Sequence, residues 1–240
     1  MERYKILGTN INPVNLEESI HIIKKTVKDG DSIRVVTANP EIIYQATEDL
    51  TLQTIINTAD LVVPDGIGVV WAARQLGIDI RERVTGIDLT EKILEAGNRM
   101  GWRIFLLGAK PGIAEIAISK LYQKYPGNTF SCYHGYFTQE EEPEVIRRIK
   151  NFDPDILLVG LGAPLQEYWN NENNGLAKVN MGIGGTIDVL SGHISRAPRW
   201  IRAVGLEWLY RLGREPSRIS RQKKLPSFVK KVFEQKKTKQ

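Results

Sequence analysis

Short apolar runs alternate with longer amphipathic ones along nearly the whole chain. The runs at 5–7, 32–37, 61–63, 103–107, 129–133, 156–160 and 179–182 predict strands. The stretches at 16–28, 41–46, 69–76, 88–100, 113–125, 140–150 and 165–173 carry apolar residues at helical spacing. The opening segment from Lys5 to Ile11 contains Gly8 and is equally readable as a small hairpin. Strands alternating with helices predict an α/β fold, a mostly parallel Rossmann-like sheet with helices on both faces. After Arg196-Ala197-Pro198 the pattern changes. There Leu225, Phe228, Val229 and Val232 recur at i, i+3, i+4 and i+7 among lysines, which predicts a basic amphipathic helix. The expected division is an α/β domain over 1–195 and a C-terminal appendage over 196–240.

Charge sharpens that division. The net charge is +5, yet residues 196–240 hold 14 Lys and Arg against Glu207, Glu215 and Glu234, a local +11 that leaves −6 for residues 1–195. A basic end on an acidic body suits an anionic surface. Trp200, Trp208, Leu209 and Leu212 add apolar contact area, open to either a membrane or the body's core. Cys132 is the sole cysteine, so no intrachain disulfide forms and a reducing compartment is expected. No apolar run reaches membrane-spanning length and no signal-peptide core follows the start, so the expectation is a cytoplasmic protein. A homo-oligomer is compatible with this pattern.

The candidate chemistry collects where predicted strands end. Leu61-Val62-Val63-Pro64-Asp65-Gly66-Ile67-Gly68 is a buried strand that delivers one carboxylate to a glycine turn before a helix. Ligands of open α/β sheets bind at that edge. Asp65 there suits a general base, and equally suits a helix N-cap. Asn39 with Pro40 caps the next helix start, which leaves Thr37 directed at a cleft. Gln166, after Gly162-Ala163-Pro164, offers an amide to a sugar hydroxyl. Gly184 and Gly185 form another glycine turn after a strand.

Alternatives fail on detail. Gly66-Ile67-Gly68 needs a third glycine where Trp71 stands, so the dinucleotide fingerprint of a nicotinamide oxidoreductase is broken. No phosphate-loop lysine motif is present. Asp29-Gly30-Asp31 and Asp153-Pro154-Asp155 precede their strands, at the wrong edge for a nucleotide-bridging metal, and fit turns instead. His134 follows a strand and is in reach of a ligand, but no zinc-ligand cluster surrounds it. A noncatalytic membrane- or nucleic-acid-binding protein accounts for the basic tail and leaves Thr37, Asp65 and Gln166 without a role.

Thr37-Ala38-Asn39-Pro40-Glu41, Pro64-Asp65-Gly66-Ile67-Gly68, Arg83-Val84-Thr85-Gly86-Ile87-Asp88, His134-Gly135-Tyr136-Phe137, Gly162-Ala163-Pro164-Leu165-Gln166-Glu167, Gly184-Gly185-Thr186-Ile187-Asp188-Val189 and Arg196-Ala197-Pro198 stand in one order along the chain. With Leu206-Glu207-Trp208-Leu209-Tyr210-Arg211-Leu212 they resemble the bacterial WecG/TagA/CpsF glycosyltransferases over nearly the whole length. The resemblance implies inverting transfer of a sugar, N-acetylmannosamine in the best-known members, from UDP to undecaprenyl-diphosphate-N-acetylglucosamine. Other members move N-acetylmannosaminuronic acid, glucose or glucuronic acid. It implies Asp65 as the base with Thr37 beside it, and Asn39, Arg83, Gln166, Gly184 and Gly185 around the substrates. Arg214, Arg218 and Arg221, spaced to share a helix face, are assigned to a diphosphate. The expected partners are the UDP-sugar, the lipid-linked acceptor and the anionic inner face of the cell membrane, without nucleic acid. Neither a cofactor nor a metal is expected.

Overall fold

The computed structural model describes residues 1–80, 82–198, 200–201, 209–210, 213 and 224–238. The chain opens with the hairpin: β1 (Tyr4–Ile6) pairs antiparallel with β2 (Thr9–Ile11). Leu7 at φ 51° and Gly8 at φ 83° make the turn, a conformation that glycine adopts freely. The amphipathic α1 (Leu16–Asp29) follows, started by a capping box between Asn15 and Glu18 and stopped by Gly30 at φ 80°.

The remaining strands are β3 (Ile33–Ala38), β4 (Leu61–Pro64), β5 (Arg103–Gly108), β6 (Thr129–Tyr133), β7 (Ile156–Gly160) and β8 (Val179–Gly182). They form one parallel sheet in the order β4-β3-β8-β7-β5-β6. Their near-continuous Val, Ile and Leu content fits burial on both faces. One face carries Val35, Leu106, Leu158 and Met181 under α1, α5 (Gly86–Met100) and α6 (Ile113–Lys124). The other face is covered in two parts. Val36, Ala38 and Val62 pack under α2 (Pro40–Ala46), α3 (Leu50–Asn57) and α4 (Ile67–Gln75). Phe105, Leu157 and Val159 pack under α7 (Glu142–Phe152) and the Trp169 side of α8 (Leu165–Glu172). The short α9 (Thr186–Leu190) follows β8.

The two Asp-x-Asp segments lie between a helix and the strand after it, Asp29 ending α1 before Gly30, and the second is not simply solvated. The Asp155 carboxylate accepts the backbone N–H of Arg103 at 2.9 Å and the Lys178 ammonium at 2.8 Å, fastening neighbouring strands at the amino edge. Asp153, at φ 49°, closes α7.

The last helix, α10 (Leu225–Thr238), corrects one expectation. Half of its apolar stripe is turned away from any bilayer: Phe228 and Val232 are fully buried with Ile42, Ile43, Val69 and Val70, while Leu225 is half-buried and Val229 is exposed. Phe233 meets Trp71 edge to face at 5.7 Å, and Lys231 donates to the Thr47 hydroxyl at 2.6 Å. Gln235 accepts the Leu7 N–H at 2.8 Å, tying the helix to the opening hairpin. Among the described residues no helix is long and apolar enough to cross a membrane. Trp208, Leu212 and the Arg214, Arg218 and Arg221 assignments lie outside the described residues.

Candidate active site

Every strand of the sheet points its carboxyl end at the same edge, and a cavity of about 580 Å³ opens there over β4, β3, β8 and β7. Its volume suits a small-molecule ligand. Thr37, Asn39, Asp65, Arg83, Gln166, Gly184 and Gly185 all line it, brought from about six-tenths of the chain's length to one place. The wall also includes Thr85, Gly86, Glu167 and, from α10, Leu225, Phe228 and Val229.

Parallel register sets the pair at the centre. Thr37 lies opposite Val63 and Ala38 opposite Pro64, and the Asp65 N–H donates to the Ala38 carbonyl at 2.9 Å. Asp65 therefore leaves the sheet one step beyond β4, beside the end of β3. The Thr37 hydroxyl donates to the Gly182 carbonyl at 3.2 Å, which links β3 to β8 at the cavity floor. The cap position of α4 falls on Gly66, at φ 94°, and not on Asp65. Gly68 is required by packing, since a Cβ there would meet the Pro40 ring at 2.6 Å.

Helix starts supply the polarity. Asn39 caps α2 by accepting the Ile42 N–H at 3.0 Å, so its oxygen is engaged while the residue still faces the cavity. Thr85 caps α5, and its hydroxyl donates to Asp88 at 2.6 Å. Gly86 then packs against Thr37, where a Cβ would stand 3.5 Å from its methyl group. The amino ends of α2, α4, α5 and α8 thus converge on one cavity, and helix amino ends favour anions. Arg83 adds a formal positive charge to the lining.

Gln166 is placed differently from the expectation of an amide offered to a sugar hydroxyl. It is buried, its oxygen accepts the Gly184 N–H at 3.0 Å, and its nitrogen donates to Glu167 at 2.8 Å. Glu167 is 3% exposed, and desolvation pushes its carboxyl up to about 7, against the opposing effect of the Gln166 hydrogen bond. As the second of two adjacent polar residues at a helix start, it carries no sequence signal that separates it from a solvated one.

His134 does not line the cavity. It follows β6 at the sheet's far edge, stacks on Tyr133 at 4.4 Å and accepts the Tyr136 N–H at 3.3 Å. Burial pushes the Cys132 thiol up to about 12, which leaves it protonated and unsuited to nucleophilic work. Arg196, at the start of the C-terminal segment, is held to the body by α5: it pairs with Asp88 and, at 2.9 Å, with Glu91. Among the described residues no group of three or more His, Cys, Asp or Glu is placed to hold a metal ion.

A strand-end carboxylate among helix amino ends, with polar side chains from four strand ends, suits proton removal beside an anionic ligand. Comparisons with known proteins agree in kind. Two Staphylococcus aureus proteins, from strains MRSA252 and NCTC 8325 / PS 47, are each 37% identical to this chain over 231 residues. Those residues are 95% of this chain and 91% of theirs, and both bear the name N-acetylglucosaminyldiphosphoundecaprenol N-acetyl-beta-D-mannosaminyltransferase. The model of the glycosyl transferase WecG/TagA/CpsF family matches residues 4–240. The chain therefore belongs to the WecG/TagA/CpsF family and is a glycosyltransferase.

Proposed function

We propose that the protein transfers N-acetylmannosamine from UDP to undecaprenyl-diphosphate-linked N-acetylglucosamine, with inversion, in the assembly of the wall teichoic acid linkage unit or a related surface polymer. The observation that carries this reading is the convergence of Asp65, Thr37 and four helix amino ends on one cavity, in a chain 37% identical over 95% of its length to a protein named for that transfer. Asp65 removes the proton of the acceptor hydroxyl as its oxygen attacks the anomeric carbon. The bond from that carbon to the β-phosphate oxygen breaks, and UDP leaves with the electron pair. Thr37 stands beside the base. Asn39, Arg83 and the Gly184-Gly185 turn bind substrate, with Gln166 acting through the turn it holds. Arg214, Arg218 and Arg221 neutralise the diphosphate, so turnover requires no divalent metal.

The acceptor is a membrane lipid, and the segment from about Arg196 onward docks the enzyme at the anionic inner face of the cell membrane. The +11 charge of that segment supports this. The same site with another UDP-sugar as donor is the second reading, since 37% identity to the named relative supports the family's reaction without fixing the hexose. The test is incubation with a panel of UDP-sugars and a lipid-diphosphate-N-acetylglucosamine acceptor, with and without chelator, reading product mass. A product formed only from UDP-N-acetylmannosamine and unaffected by chelator is expected. Activity lost with chelator and restored by magnesium overturns the metal-free mechanism, and a product from a different donor selects the second reading.

A further inference from the structure

Gln166 and Glu167 form a relay whose direction is fixed. The Gly184 N–H is a donor only, so the Gln166 oxygen must face it and the Gln166 nitrogen must face Glu167. Both side chains also pack on the strand that leads into the turn: a Cβ on Gly182 would stand 2.7 Å from the Gln166 nitrogen and 3.2 Å from Glu167 Oε1. The turn is thus gripped at Gly182 by contact and at Gly184 by a hydrogen bond, and its next residues, Gly184, Gly185 and Thr186, line the cavity. Glu167 Oε2, by contrast, is buried without a hydrogen-bond partner. A buried carboxylate oxygen left so is costly unless the group is neutral.

We propose that Glu167 is a positioning residue: acting through Gln166 it holds the 182–185 turn in its ligand-ready shape, and it takes up a proton when an anionic diphosphate settles against that turn. The second half rests on the UDP-sugar reading given above; the first does not. Added negative charge in the cavity disfavours a second buried anion, which drives the proton onto Glu167. Its ordinary value near 4.5 is already raised to about 7 by burial, so the free enzyme holds both forms near neutrality. The charged groups on the elements packed around α8 have other engagements. Arg34 of β3 donates to Asn171 and Thr58, Asp60 accepts the Arg34 N–H, and Asp49 ahead of α3 accepts from Tyr168. β7 and β8 bring no charged residue, and Glu41, Asp65 and Arg83 share the cavity lining.

Two measurements on the full chain test the two halves. Hydrogen exchange at the Gly184 amide needs no ligand: Glu167→Leu is expected to speed it roughly tenfold, and Glu167→Gln, which keeps an acceptor for Gln166, to preserve the wild-type rate. Calorimetry with UDP-N-acetylmannosamine, whose doubly esterified diphosphate does not titrate near neutrality, is then run at pH 7 in two buffers of different ionisation enthalpy. Wild type is expected to take up on the order of half a proton per ligand bound and Glu167→Gln none. Unchanged Gly184 exchange in a folded Glu167→Leu overturns the positioning role; if that variant does not fold, faster exchange in Glu167→Gln overturns it. Equal proton uptake in wild type and Glu167→Gln overturns the linkage. A wild-type protein that ignores the UDP-sugar overturns the donor reading and the linkage together, while Gly184 exchange still decides the positioning role.

Discussion

Two carboxyl groups of one cavity differ because their surroundings differ. Asp65 leaves the sheet at a strand end with intermediate exposure, whereas Glu167 is enclosed by α8 and the sheet. Asp65→Asn retains size and hydrogen bonding and removes the base. Turnover is expected to fall by roughly two to four orders of magnitude, with UDP binding and thermal unfolding close to wild type. A single-turnover assay beside a calorimetric titration separates these. Glu167 makes a stability prediction of its own. Between its ordinary value near 4.5 and its raised value of about 7, the folded state binds more protons than the unfolded one. Stability therefore falls as pH rises through that window and levels off above it, by on the order of 3 kcal/mol from this group. Urea unfolding at pH 5 and pH 7.5 measures the slope, and Glu167→Gln should remove this contribution. Asp65 was legible in the sequence because a buried strand, a proline and two glycines isolate it. Glu167 was not, because adjacent polar residues at a helix start are solvated by default, and only the packing of α8 onto the sheet, with both side chains against Gly182, encloses them.

At the scale of elements, alternation of period-two and period-3.6 segments gave every strand of the main sheet to within a residue or two. Glycines after β4, β7 and β8, and the Asn39-Pro40 turn after β3, marked the functional edge. The opening segment resolved to the hairpin of its two readings, since Ile6 and Ile11 both turn into the core. The helix α3 went unread because Leu50–Asn57 is rich in Thr and Ile, residues of weak helix preference, and only the Asp49 cap announces it. For α10 the period was legible and its partner was not: a stripe at i, i+3, i+4 and i+7 is the same whether it faces lipid or protein. Burial decides the matter, and it carries a prediction. Phe228→Ala should destabilise the protein by about 3–5 kcal/mol and widen the cavity wall, while Phe233→Ala, on the exposed side, should cost much less. Denaturant midpoints of the two variants provide the comparison.

For the molecule as a whole, the separation of a +11 segment from a −6 body is a statement about orientation. On the docking reading proposed above, with Phe228 and Val232 turned inward, attraction to a membrane would come mainly from exposed cations and from side chains outside the α10 stripe. Lys230 and Lys237 lie on the solvent side of α10. Each lysine near an anionic surface contributes on the order of 1 kcal/mol. Cosedimentation with phosphatidylglycerol vesicles should therefore weaken roughly tenfold or more in Lys230→Glu/Lys237→Glu, and weaken steeply with added salt in wild type. Binding that survives high salt would point to apolar insertion by residues other than the buried pair. Deleting the whole C-terminal segment is a poor test of docking, because it also removes a helix from the core.

That last helix has a consequence in time. The surfaces of α2 and α4 that receive Phe228 and Val232 are synthesised roughly 150 residues before α10, and translation proceeds at about 5–20 residues per second. For on the order of ten seconds or more, each nascent chain carries the receiving surfaces of α2 and α4 without the helix that covers them. The hairpin at Leu7 waits longer still for Gln235. The wall that α10 adds arrives only when residues 225–238 leave the ribosome, and until then the chain is a client for whatever guards unfinished proteins.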